Sequence, residues 1–182
     1  MRRRHIEDIR RQIESSIRRF GHTRAMELGA KAESILALGV DAVRVNADRE
    51  SIVALDMSVV ADAAALPFAD ESFDLILSQF LHCSVRCPGS VAREIARVLS
   101  ASGLYVCVEH LPSPYRAIRI LQLAAEPVGQ FALGWCRFAH DNTLSFPRGL
   151  FVQECVARFS DWHEPICATY FRKQSDRAGA EG

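Results

Sequence analysis

The sequence predicts an α/β domain: a mostly parallel sheet flanked by helices, with a C-terminal antiparallel hairpin. Three observations carry this. From Thr23 onward, short apolar runs alternate with helical stretches, as parallel sheets require. The stretch PGSVAREIARVLSASG has helical periodicity and sits between two of those runs. The end, VARFSDWHEPICATYFRKQ, alternates as two strands about a turn at Glu164–Pro165.

The elements follow in order. IEDIRRQIESSIRRF places Ile6, Ile9, Ile13, Ile17 and Phe20 at spacings of three and four, an amphipathic helix over residues 1–21 with Gly21 as its stop. Strands are expected near 24–28, 42–46, 58–61, 73–78 and 103–109, with a helix near 31–39 joining the first two. A second helix begins at Pro88 or Gly89 and is expected to end before Gly103. Prolines at 112 and 114 break the chain after the fifth strand. Residues 115–150 start as a helix and then gather Phe131, Trp135, Phe138 and Phe146, with Phe151 just beyond. They form either an apolar lid over a substrate or a helix pair completing the core. The domain proper spans 22–174, and the tail 175–182 is expected to be disordered.

Composition narrows the class. At 182 residues with 49% hydrophobic and 24% charged side chains, the chain suits one soluble domain. Basic and acidic residues cancel at 22 each, so no global charge argues for nucleic acid as a partner. The charge is uneven, since residues 1–25 hold eight arginines against Glu7, Asp8 and Glu14. That helix packs on the domain in the simplest reading; a subordinate reading rests residues 1–20 on an anionic membrane surface or acidic partner. Six cysteines show no framework spacing, no secretory leader precedes them, and reduced thiols of a cytoplasmic protein are expected.

VVADAAALPFADESFDLIL, followed by VAREIARVLSASGLYVCVEHL, resembles the class I S-adenosylmethionine-dependent methyltransferases of the small-molecule (type 11) kind. The resemblance covers about residues 24–110 and implies a Rossmann-like fold with S-adenosylmethionine as cofactor. It implies that Asp62, with Ala63 beside it, meets the adenine amino group. Leu66, Pro67 and Phe68 would lie against the adenine face, although core packing serves them equally. Ser78 and Gln79, ending the fourth strand, would lie near the reacting methyl. The family's acid-then-glycines pattern maps onto Glu27 and Gly29, while Lys31 and Glu33 stand where two further glycines belong. Lys31 would either clash with the cofactor or pair with its carboxylate. Where the family has an acid for the ribose hydroxyls, this chain has Asn46, with Asp48 two residues on.

A second register makes Gly39 the loop glycine and Asp56 the ribose acid. It leaves no room for a crossover helix between Asp56 and Asp62, because parallel strands need a dozen or more residues between them. The Glu27/Gly29 register is therefore preferred.

Methyl transfer from a sulfonium needs chiefly alignment, plus a base where the nucleophile carries a proton. His82, past the fourth strand, and His110, past the fifth, stand at the expected ligand edge, with Glu109 as a further candidate. A structural histidine is the plainer reading of either. Cys83, Cys87, Cys107 and His110 lack zinc-site spacing, so no metal is expected. The leading functional reading is a methyltransferase for a small, apolar or aromatic molecule, with a homodimer as one way to complete a short lid. The alternative is a methyltransferase-like binding or regulatory protein that has lost cofactor affinity, for which the missing glycines and Asn46 speak.

Overall fold

The computed structural model describes residues 7–8, 11, 14–15, 21, 24–29, 42–47, 57–132, 137, 141, 146–159 and 165–174. The helix expected near 31–39, Lys31, Glu33, Asp48, Glu164 and the tail 175–182 lie outside these residues.

Seven strands form one sheet: β1 (Ala25–Leu28), β2 (Ala42–Asn46), β3 (Ser58–Val60), β4 (Phe73–Gln79), β5 (Leu99–His110), β6 (Phe151–Phe159) and β7 (Ile166–Lys173). Their order is β3-β2-β1-β4-β5-β7-β6. The first five are parallel, and β7 runs antiparallel between β5 and β6. The mostly parallel sheet with an antiparallel end is the predicted fold class. In β4, FDLILSQ is buried at every position but Asp74, because a central parallel strand has a core on both faces.

Two apolar clusters divide the sheet by strand parity. On one face Met26, Leu28, Ile76, Tyr105 and Phe171 pack together; on the other Leu75, Leu77, Val106, Val108 and Ala168 do. Helix α1 (Pro88–Val98) covers the first face. Proline stands at its start, where a missing N–H goes unneeded, and Val91, Ala92, Ile95 and Val98 share one buried stripe.

α1 ends earlier than its periodicity predicts. Leu99 is already extended (φ −80°, ψ 132°) and pairs with Phe73, so β5 begins at Leu99 and reaches twelve residues. Cross-strand pairing and full burial of Leu99 override a helical pattern that runs on to Gly103.

Helix α2 (Arg116–Ala132) follows β5. Beyond it, Phe146 and Phe151 pack within 6.3 Å, centroid to centroid, of Tyr105 and within 5.7 Å of Phe171. Two of the aromatic residues weighed as a substrate lid thus belong to the core.

Candidate functional site

The strand order reverses between β1 and β4: the chain leaves β1 toward β2 on one side, and β4 continues on the other. In such sheets the crevice outside the carboxyl ends of the strands at that point receives ligands. Glu27, Gly29 and Gln79 stand there. Glu27 is fully buried, accepting from Gln79 Nε2 at 2.5 Å and pairing with Arg44 Nε at 3.4 Å. A buried carboxylate is tolerable only with such partners, and these tie β1 to both neighbouring strands.

Gly29 has φ +78°, and a Cβ there would lie 2.8 Å from the Gln79 backbone oxygen. Glycine is required here by conformation and by close packing of β1 on β4. That requirement is structural and holds whether or not a ligand is bound.

Asp62 lies two residues past β3, exposed, with its Oδ1 accepting the Ala64 N–H at 2.9 Å. This local turn presents the carboxylate at the edge, and Ala63 beside it is buried. Asn46 ends β2 half-buried, its carbonyl accepting the Ala61 N–H. The following turn is held from α1: Glu94 accepts the Leu66 N–H at 2.9 Å, and Arg97 donates to the carbonyls of Leu66 and Phe68 and to Asp70. Leu66 itself is core, whereas Pro67 is exposed and Phe68 packs edge-on against Phe73 at 5.0 Å.

Ser78 requires correction. Its parity turns it into the α1-side core, where it is fully buried and its Oγ shares a 2.7 Å hydrogen bond with Tyr105. Gln79, of opposite parity, is the β4 residue at the crevice. His82 also departs from the expected base. It is fully buried, its Nε2 lies 2.6 Å from the Tyr105 hydroxyl, and Nδ1 makes no hydrogen bond of ordinary geometry. Burial pushes its pKa down to about 3, and an interaction with the Pro88 backbone offsets this only in part. The ring is neutral at physiological pH and too weak a base for proton abstraction.

Glu109 is the group sequence reasoning undervalued. Its carboxyl, 1% exposed, accepts the N–H groups of His82 (2.8 Å) and Cys83 (3.1 Å), while burial raises its pKa to about 7 against those hydrogen bonds. It pins the chain just after Phe80, whose left-handed backbone (φ 49°) turns the loop off β4. The acid at a strand end was visible in the sequence; its two backbone partners were not. His110 stacks on Phe80 at 4.3 Å and sits 3.7 Å from Cys83 Sγ, on the face opposite Glu109. The structure thus gathers Glu27, Gly29, Asn46, Asp62, Ala63 and His110 along one edge, and moves Ser78 and His82 into the core.

The mostly parallel sheet, with an acid past β3 and a glycine past β1, has the Rossmann-like fold of class I methyltransferases. Residues 22–107 match the family model described as a methyltransferase domain. Solved structures agree on the fold. The YcgJ protein of Bacillus subtilis is similar at 14% identity and TM-score 0.65, over 84% of this chain and 93% of that one. The N-methyltransferase NodS of Bradyrhizobium japonicum is similar at 13% identity and TM-score 0.65, over 93% and 96%. The [4+2]-cyclase SpnF is similar at 12% identity and TM-score 0.62, over 90% and 81%. No curated protein matches the chain.

Proposed function

We propose that the protein transfers a methyl group from S-adenosylmethionine to a small, apolar or aromatic molecule. The observation that carries this is Asp62: an exposed carboxylate, fixed by its own turn, beyond the third strand of a methyltransferase-family domain. The residues present suit the adenosine part of the cofactor. Asp62 would accept from the adenine amino group, and Asn46 would bond one ribose hydroxyl. The Leu66–Phe68 turn, held by Glu94 and Arg97, would carry Pro67 against the ring. When bound, the cofactor supplies an electrophilic methyl group.

The chain's own contribution is alignment and exclusion of water. Glu27 and Gln79 hold the ends of β1 and β4 in register at the crevice. Glu109 fixes the His82–Cys83 backbone beside it. A nucleophile that carries a proton would lose it to His110, the histidine that ends β5 and stacks on Phe80.

Calorimetric titration with S-adenosylmethionine and with its demethylated product tests the reading. Micromolar binding that Asp62→Ala abolishes supports it. Absence of binding at millimolar cofactor favours the second reading, a methyltransferase-like binding protein. That second reading draws on Gly29, whose need is met by Gln79 packing alone, and on SpnF, a cyclase of the same fold.

A further inference from the structure

α2 is built inside out. Its stripe toward the domain is polar: Gln122 and Glu126 are buried at i and i+4, with Ile118 half-buried one turn before, and Gln122 Oε1 accepts the Ser113 N–H at 2.8 Å. The opposite stripe is apolar and open. Ala117, Ile120, Leu121, Ala124 and Val128 follow one another at helical spacing on that face, with Ile120 58%, Leu121 67% and Val128 70% exposed. Exposed apolar patches of this kind mark interaction surfaces.

The charge around the stripe selects its partner. Arg116 and Arg119 border it, both exposed, and Tyr115, 59% exposed, stands at its start. The one acid of the helix, Glu126, is on the buried side. The open face is therefore apolar and cationic with no anion of its own. A twofold contact between two copies would set arginine near arginine without a carboxylate to pair them. Phosphate headgroups above acyl chains complement both features at once. No helix among the described residues is long and apolar enough to cross a membrane, so the fitting geometry is a helix lying in the interface.

We propose that the α2 face Ala117–Val128 docks the domain on an anionic bilayer surface. This is independent of the methyl-transfer reading, since none of these residues belongs to the crevice. The apolar stripe enters the headgroup boundary, Arg116 and Arg119 meet lipid phosphates, and the polar stripe stays with the protein.

Co-sedimentation of the full chain with phosphatidylcholine vesicles, with and without phosphatidylserine, tests the proposal. Binding is expected to phosphatidylserine-containing vesicles and to weaken with salt. The triple variant Ile120→Gln, Leu121→Gln, Val128→Gln should bind about tenfold or more weakly, because partition scales with buried apolar area. Arg116→Gln with Arg119→Gln should lose about 25-fold and most of the salt dependence, at about fivefold per charge. Unchanged melting curves keep both variants folded. Equal binding to both vesicle types, or a triple variant that binds as the parent does, overturns the proposal. So does a parent that ignores vesicles yet self-associates through this face, shown by sedimentation equilibrium in which only the triple variant is monomeric.

Discussion

α1 and α2 are amphipathic in opposite senses. α1 buries Val91, Ala92, Ile95 and Val98 and turns its charges outward, where Arg97 and Glu94 grip the Leu66–Asp70 turn. α2 buries Gln122 and Glu126 and turns its aliphatic side chains outward. The first helix is held by what its apolar face excludes from water. The second has an apolar face still in water, so its surface must serve something other than the fold. The same contrast extends to nearby ionisable groups: Glu94 and Arg97 of α1 are paired near the surface, whereas His82 past β4 and Glu109 in β5 are wholly buried.

The largest effect expected from this contrast is at Ile95. Ile95→Ala removes a fully buried side chain of α1 and should destabilise the domain by about 2–5 kcal/mol in urea or thermal unfolding. A loss below about 1 kcal/mol would mean that α1 is not the anchoring helix.

Next come the buried ionisable groups. Glu109 titrates at about 7 in the fold against an ordinary 4.5, so the folded state keeps a proton the unfolded chain has released. Its stabilisation is complete below pH 4.5 and is lost as pH rises through about 7, on the order of 3 kcal/mol. His82 acts in the other direction. Its folded value of about 3 lies below 6.5, so stability present above pH 6.5 is lost as pH falls toward 3. Above pH 6.5 the Glu109 loss outweighs the remaining His82 gain. From pH 6.5 to 8 the parent should lose stability relative to Glu109→Gln; parallel profiles would refute the assignment.

Arg97→Met should cost about 1–2 kcal/mol, because a partly exposed guanidinium with several oxygen partners is lost but little core is. Its sharper signature is weaker cofactor binding in the calorimetric titration, through the loosened Leu66–Asp70 turn. Unaltered binding would show that the turn holds its shape without α1.

The smallest change belongs to α2. Leu121→Gln should shift stability by no more than about 0.5 kcal/mol, since the side chain is 67% exposed. A loss like that of Ile95→Ala would show that something covers this face and would break the contrast.

Much of the fold was legible because parallel strands buried on both faces read as apolar runs, as AMEL and FDLILSQ do. Gly29 was legible as a position where a side chain does not fit, and Asp62 as an acid just past a strand. The boundary between α1 and β5 was not, because the pairing of Leu99 with Phe73 joins residues far apart in sequence. Nor was which of Ser78 and Gln79 faces the crevice. A strand's end can be read from sequence to within a residue, but one residue flips a side chain to the other face.

The amino-acid order by itself determined the strands, their alternation with helices, the hairpin and the likeness to a methyltransferase domain, since each rests on local periodicity or a contiguous motif. Tertiary structure alone decided which groups face the crevice, that His82 is too buried to take a proton, and that α2 points its aliphatic stripe outward. The reason is physical. Periodicity shows that a helix has two unlike faces, but only the packing against the sheet selects which of them is buried.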